Sequence, residues 1–299
     1  MKVKALALVA SLLAAPVFAQ PIYIDIGTNF GGNANKAAGA TTTGWLEELQ
    51  FNYNSWSKVV DTNNNLTIDA GDVITSTGGL KGSGFNNFAA LFGNNSISSF
   101  LPQQFGAFGP SNNGYKNGWE LSFGFDNLVG TIDAFGGVNW TSGTISFYAT
   151  TNVSSCAIAN NTACFTRLFD MNVTTGGNIP SATILSGYLT NFNTTDSFGS
   201  VVAGDLFNTA HNGSNKSFKE VHDELALTGQ EQKFNFLVDQ NVAALPAVTG
   251  YDAGTKTFTL ARALHDGSIS FSVPEPTSVA VLGLGLLGLG FSRRNKKAQ

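Results

Sequence analysis

Oxygen-bearing side chains recur at regular intervals between Asp61 and Asp72. With Asp61 as position 1, positions 1, 3, 5, 9 and 12 carry a carboxylate or an amide, and position 7 offers a backbone carbonyl. These residues are Asp61, Asn63, Asn65, Thr67, Asp69 and Asp72. Calcium takes oxygen ligands at this spacing in twelve-residue loops. The spacing therefore predicts a calcium site, and the alternative is an Asn-rich turn that binds no metal.

The segment resembles the calcium loop of EF-hand and dockerin modules, with Ile68 at the apolar position 8. It departs from them at position 6, where Leu66 replaces the glycine that normally permits a sharp turn. Position 12 is aspartate, as in dockerins, where an EF-hand has glutamate. Because the residues after Asp72 do not predict a helix, we expect a lone loop between strands, with calcium affinity in the roughly 10⁻⁴–10⁻³ M range.

Motifs of common hydrolases and metalloenzymes are absent from the sequence. There is no G-x-S-x-G elbow and no H-E-x-x-H, and His211, His222 and His265 match no metal-binding spacing. The paired carboxylates of glycoside hydrolases meet only in the fold, so the sequence cannot identify them. We therefore expect a protein that is not an enzyme.

The chain has two cysteines, Cys156 and Cys164. In an oxidising compartment we expect a disulfide between them, closing the loop between predicted strands 144–150 and 165–173. A metal-binding pair is the alternative, but no CxxC spacing or nearby histidine supports it.

The elements that position these residues are predominantly β. The chain has 34 Gly and 24 Phe, and apolar residues alternate with polar ones in several segments. The alternating apolar residues are Trp119, Leu121, Phe123 and Phe125; Ile145, Phe147 and Ala149; Phe165, Phe169, Met171 and Val173; Phe234, Phe236 and Val238; and Ile269, Phe271 and Val273. Alternation of this kind is typical of strands with one buried face. We expect an all-β fold, a β-sandwich or jelly roll of antiparallel sheets.

One or two short helices accompany the strands. Ser217 and Glu220 have the spacing of a capping box, followed by an apolar stripe of Phe218, Val221 and Leu225. Gly229 is expected to end this helix, and residues 86–92 are a second candidate. With no repeat or linker, residues 20–272 are expected to form one domain.

The N-terminus has the pattern of a secretory signal peptide. Lys2 and Lys4 precede an apolar stretch, and Val17-Phe-Ala19 provides a small-x-small cleavage site. We expect signal peptidase to remove residues 1–19.

The C-terminal residues 273–299 combine Pro274-Glu-Pro276, an uncharged stretch and a basic tail. The stretch from Thr277 to Phe291 would span roughly 22 Å as a helix, short for a bilayer core of ~30 Å. Arg293 and Arg294 begin the basic tail, which is expected to stay cytoplasmic.

These three elements resemble the PEP-CTERM sorting signal of Gram-negative bacteria. The resemblance implies cleavage by exosortase, a membrane-embedded enzyme, after transient insertion of the C-terminal segment into the inner membrane. It further implies a final location at the cell surface or outside the cell, in bacteria that make extracellular polysaccharide. We expect a non-enzymatic role in the polysaccharide matrix, biofilm or flocculation.

Composition and charge restrict the classes of partner that the exported part of the chain can bind. Six of the 16 basic residues lie in the terminal segments, as does Glu275 among the 20 acidic ones. Ten basic and nineteen acidic residues remain, a net charge near −9. We expect no nucleic-acid partner, because phosphates require clustered Lys and Arg. Two alternatives to the matrix role stay open. One is a carbohydrate-binding module using Trp45, Trp56, Trp119 or Trp140, and the other is a secreted hydrolase whose carboxylates converge in the fold.

Overall fold

The structure is a computed structural model, and it describes residues 20–32, 35–80, 99–100, 112–152, 164–179, 182–239 and 247–273. In this part of the chain the strands are β1 (Ile22–Ile24), β2 (Leu49–Val60), β3 (Val73–Gly79), β4 (Ser99–Phe100), β5 (Glu120–Ile132), β6 (Val138–Thr150), β7 (Thr166–Ile179), β8 (Ala182–Thr190), β9 (Ser197–Phe198), β10 (Val201–Val202), β11 (Phe207–His211), β12 (Ser214–Ser217), β13 (Lys233–Asp239), β14 (Ala247–Asp252) and β15 (Thr257–Ser272). The helices are the 3-10 helix Ala203–Asp205 and the α-helix α1 (Phe218–Ala226). The candidate helix at residues 86–92 lies outside the described residues.

Eight of these strands form a closed antiparallel barrel, in the order β2, β3, β5, β6, β7, β8, β13 and β15. The ring closes because β15 pairs with two other strands of the ring, β2 and β13. Its residues from Thr257 to Ile269 pair with β2, and those from Asp266 to Ser272 pair with β13. The expected β-sandwich or jelly roll is therefore wrong, although the expected strands are present.

The alternating pattern identified a buried face without identifying what covers it. In a sandwich that face packs on a second sheet, whereas in a barrel it packs on itself across the interior. The barrel strands are long, and β5, β6, β7 and β15 contain register shifts. Bulges of this kind raise local twist and bend a strand, which lets a single sheet curl until its ends meet.

Phenylalanines fill one half of the barrel interior. Phe51 on β2 and Phe236 on β13 lie with ring centroids 4.3 Å apart, and Phe147 stacks on Phe169 at 5.1 Å. These four rings are fully buried. Each buried aromatic ring contributes a large apolar area, and ring pairs add about 0.5–1.5 kcal/mol. This half of the barrel is therefore a packed core.

The nearby end of the barrel, the helix end, is covered by the small sheet of β1, β11 and β12 together with α1. Phe207 and Phe218 reach from this cover to the ring of Phe271 on β15, at 6.0 and 4.9 Å between centroids. The predicted capping box is confirmed, because Glu220 N–H donates to the Ser217 hydroxyl and Ser217 N–H donates to the Glu220 carboxylate.

The opposite end, the hairpin end, carries the connections 61–72 (β2 to β3) and 133–137 (β5 to β6). Gln20 donates its backbone N–H to the carbonyl of Phe271 at 2.9 Å, and both lie at the helix end. Val273, the residue after β15, is buried against Val221 and Leu225 of α1. The last barrel strand thus ends on the side of the barrel opposite the hairpins.

Gly267 provides a test of barrel closure. A Cβ at Gly267 would lie 1.9 Å from the carbonyl oxygen of Leu237 on β13 and 2.9 Å from the ring of Phe51 on β2. We expect Gly267→Ala to lower the free energy of unfolding by at least about 1–3 kcal/mol, since backbone must shift to admit the methyl group. Gly250→Ala is the control, because a Cβ there meets nothing within 4 Å. Equal urea midpoints for the two variants would contradict this account.

Candidate functional site

A cavity of about 370 Å³ occupies the half of the barrel interior nearest the hairpin end. The phenylalanine core lies below it, and the connection 133–137 contributes to its rim. Cavities of 300–1,000 Å³ are typical of small-molecule sites, and an eight-stranded barrel is wide enough to hold one small ligand. The cavity is therefore the candidate binding site.

One side of the cavity is a polar row on the three adjacent strands β3, β2 and β15. Ser55 Oγ lies 2.7 Å from His265 Nε2, and Ser57 Oγ lies 2.5 Å from Ser76 Oγ. The imidazole of His265 stacks on the ring of Tyr53, with centroids 4.4 Å apart and planes 10° apart. These contacts orient the histidine and place hydroxyl groups along one wall.

The remaining wall is mainly apolar. It is formed by side chains of β3, β5, β6, β8, β13 and the first half of β15: Ile74, Phe125, Leu128, Val138, Trp140, Leu185, Val238 and Leu260. Asn178 and Thr183 add one polar contact, in which the threonine hydroxyl donates to the amide oxygen at 2.8 Å. The described side chains that line the cavity include no Asp, Glu, Lys or Arg. Among its described lining residues the site therefore has no carboxylate, ammonium or guanidinium group.

The rim at residues 133–137 is a tight turn held by one carboxylate. Asp133 Oδ1 accepts the backbone N–H of Phe135 and that of Gly137, both at 2.8 Å. Gly136 adopts φ +78°, which glycine does without strain. The turn exposes 98% of Phe135 at the cavity edge. An exposed ring beside an opening gives an apolar ligand a first contact.

The second candidate site is the predicted calcium loop, also at the hairpin end. The carboxylate of Asp61 is buried and accepts the backbone N–H groups of Asn65 at 3.2 Å and Leu66 at 2.9 Å. Asp69 accepts the side-chain amides of Asn63 and Asn65. Thr67 donates its N–H to Asn65 Oδ1 at 2.8 Å. The loop thus brings the predicted oxygen donors of positions 1 to 9 together.

Position 12, Asp72, hydrogen-bonds within the loop, and its role as a calcium ligand stays a prediction. Asp72 is fully buried, and its carboxylate accepts the N–H and the hydroxyl of Thr62 and the N–H of Asp69. Burial raises the pKa of Asp72, but the hydrogen bonds from Thr62 and Asp69 outweigh it, so the pKa lies below its ordinary value. Asp72 therefore closes the base of the loop.

The arrangement of the loop does not amount to a metal centre of clustered acidic side chains. Among the described residues, no three His, Cys, Asp or Glu side chains are grouped to hold an ion. The donors that converge are two carboxylates, Asp61 and Asp69, and two amides, Asn63 and Asn65. Hard oxygen donors of this kind fit calcium, whose coordination is flexible and accepts amide and carbonyl oxygens.

The four tryptophans proposed for carbohydrate binding lie in different environments. Trp119 is fully buried, Trp45 packs edge-on against Tyr23 at 4.9 Å, and Trp56 lies on β2 beneath the ammonium group of Lys58. Trp140 is half-buried and lines the cavity. The sequence identified Trp140 but not the cavity. The inward positions of Ser55 and Ser57, which continue the parity of Phe51 and Tyr53, were the available signal.

The cysteine prediction stays open. Cys164 packs near Tyr148 and Phe165, whereas Cys156 lies outside the described residues. β6 and β7 are antiparallel neighbours, as the predicted disulfide-closed hairpin requires.

Comparison with protein-family models matches residues 272–294 to the PEP-CTERM protein-sorting motif. The predicted sorting signal is confirmed, and the chain carries a PEP-CTERM protein-sorting motif. The motif implies exosortase processing, export with a membrane-associated C-terminal signal, and a destination at the surface. Comparisons with curated proteins and with solved structures found no match.

The family match starts on the last residue of β15, Ser272. Within the described part of the chain, no helix is long and apolar enough to cross a membrane. The expected signal peptide (1–19) and the expected short span (277–291) both lie outside the described residues.

Leu66 provides a test of the loop conformation. It adopts φ +65° and is 65% exposed, so its side chain gains little from packing while its backbone lies in the left-handed region. This region costs a non-glycine residue about 1–2 kcal/mol. We expect Leu66→Gly to raise the free energy of unfolding by about 0.5–1 kcal/mol in chelator, since glycine's greater unfolded-state entropy offsets part of the relief. Leu66→Val, the control, should lower it, because β-branching disfavours this conformation. The reverse order in urea unfolding would contradict the assigned conformation.

Proposed function

We propose that this exported, exosortase-sorted protein is a non-enzymatic component of the extracellular polysaccharide matrix, with its barrel displayed as a binding domain. The observation that carries the proposal is the position of the sorting motif, which begins at Ser272, the last residue of the strand that closes the barrel. No domain lies between the barrel and the motif, so the barrel is the part of the protein that the motif directs to the surface.

The geometry of the barrel supports an orientation in which the hairpin end points away from the cell. β15 runs from Thr257 at the hairpin end to Ser272 at the helix end, where the sorting motif begins. The cavity and the 61–72 loop lie at the hairpin end. A barrel sorted through its helix end therefore presents the cavity and the loop away from the cell.

The role is tested in the producing bacterium by comparing the wild type with a Pro274→Ala/Pro276→Ala variant. We expect intact-mass measurement to find surface wild-type protein without residues 1–19 and without Arg293 and Arg294. The double variant should keep its C-terminal residues and accumulate in the membrane fraction. Pro246→Ala, outside the motif, is the control and should be processed normally.

The same strains test the matrix role separately. Deleting the gene should lower biofilm mass or flocculation, and the wild-type gene should restore it, whereas the double variant should not. Normal processing with unchanged matrix formation would leave the sorting assignment intact and refute the matrix role.

The proposal includes calcium at the 61–72 loop, for which the converging oxygen donors are the support. Asp61, Asn63, Asn65 and Asp69 would hold the ion, with the Thr67 carbonyl as a further ligand. Calcium would neutralise the two carboxylates, and the amides of Asn63 and Asn65 would turn their oxygens toward it. The ion would then brace the hairpin end.

Calcium binding is tested by thermal melting in 10 mM calcium and in chelator. For a dissociation constant of roughly 10⁻⁴–10⁻³ M, ligand linkage gives about 1.4–2.7 kcal/mol. This corresponds to a rise in Tm of roughly 3–10 °C. The double variant Asp61→Asn/Asp69→Asn should lose the rise, and magnesium should produce a smaller one. Equal wild-type melting temperatures in calcium and chelator would show that the loop is a metal-free turn.

A further inference from the structure

We infer that the barrel cavity binds an uncharged, predominantly apolar small molecule that carries a hydroxyl or carbonyl group. This inference does not depend on the proposed matrix role, because the observations that support it concern the interior of the barrel alone. Three features of the cavity define the ligand: its size, the absence of Asp, Glu, Lys and Arg from its described lining, and the separation of its polar and apolar walls.

Size limits the ligand to a compact molecule. A dry cavity of 150 Å³ in another protein holds one benzene ring. The 370 Å³ available here therefore accommodates roughly two fused or linked rings, or a short branched chain of similar bulk. The phenylalanine core below, with Phe123 and Phe236 at 5.3 Å, leaves a long acyl chain no room to extend further along the barrel axis.

The lining selects a neutral ligand. Transfer of an ion into an apolar environment is unfavourable unless an opposite charge or several hydrogen bonds replace its hydration. The described side chains around the cavity supply neither Asp or Glu for a cation nor Lys or Arg for an anion. Leu128, Val138 and Trp140 instead offer a broad apolar face to a ring system.

The polar row selects a hydrogen-bonding group on one side of the ligand. Ser57 and Ser76 contact each other through their hydroxyls, and this contact uses one of their two O–H donors. The second donor can bond a ligand oxygen without breaking the contact. Ser55, bonded to His265, lies on the same strand two residues from Ser57 and extends the row. A single hydroxyl or carbonyl group therefore fits this wall.

The opening of the cavity is suited to the entry of an apolar ligand from the surrounding medium. The exposed ring of Phe135 lies at the rim, and the hairpin end faces away from the sorting motif. An apolar molecule in the surrounding medium would contact this ring before it entered.

The inference is tested by calorimetric titration of the folded protein, residues 20–273, with three matched probes: 2-naphthol, naphthalene and 2-naphthalenesulfonate. We expect 2-naphthol to bind with one-to-one stoichiometry. Naphthalene should bind about 2- to 10-fold more weakly, as expected for one lost hydrogen bond. The sulfonate should not bind, because its charge would be buried without a partner.

Substitutions in the cavity test whether the probes bind there. Ser57→Ala/Ser76→Ala should weaken 2-naphthol binding by about 2- to 10-fold and leave naphthalene binding unchanged. Ser142→Ala, on the exposed surface of β6, is the matched control and should bind as the wild type does. Val238→Phe fills part of the cavity and should abolish binding of both neutral probes. Circular dichroism and thermal melting establish that each variant, and the truncated wild type, is folded.

Four results would overturn the inference. The first is no binding of either neutral probe to folded wild-type protein. The second is binding of the sulfonate as tight as that of 2-naphthol, and the third is unchanged binding by folded Val238→Phe. Binding of glucose in preference to 2-naphthol would also overturn it, and would assign the site to carbohydrate through Trp140. None of these outcomes depends on whether the protein acts in the matrix.

Discussion

The structure depends on the hydrogen bonding of its last strand, β15, to two partners at once. Between Asp266 and Ile269 the strand pairs with β13 on one side and with β2 on the other. Without this pairing, β2 and β13 would be the exposed edges of a curled sheet, and exposed edges promote association with other chains. Closure removes those edges from the barrel and fixes the diameter of its interior. The contents of that interior then decide what the protein can bind.

Closure divides the interior into two halves with different properties. Near the helix end, rings such as Phe147 and Phe169 fill the space and hold the cover formed by α1 and the small sheet. Near the hairpin end the inward positions change to serine, as at Ser55, Ser57 and Ser76, and short side chains leave space unfilled. A row of serines in a core is costly unless the hydroxyls are hydrogen-bonded. Here they bond to one another and to His265. One half of the barrel interior thus stabilises the fold, and the other half contains the cavity that can bind a ligand.

Local features of this fold were predictable from the sequence, and the relation between distant strands was not. The capping box of Ser217 and Glu220 acts within one helical turn and was identified correctly. The 61–72 loop bonds within itself and lies between two strands, as expected, while its calcium binding stays a prediction. The pairing of β15 with β2 joins residues about 200 positions apart, and alternation of apolar residues carries no information on such a partner. The cavity was missed for the same reason. Ser55 and His265 meet only because the barrel closes. The hydrogen bonds that Asp72 accepts from Thr62 and Asp69 were also not predictable, because ligand spacing carries no information on them.

The continuity between β15 and the sorting motif has a mechanical consequence. A pull at the motif acts along the strand, and over part of its length the strand is hydrogen-bonded on both flanks. Such a load is carried in shear, so many bonds must break together, whereas a strand peeled from an edge loses them one at a time. Val273 adds a buried contact with α1 at the point where force would enter the fold. A barrel pulled through this motif would resist flow and traction along its own strand axis.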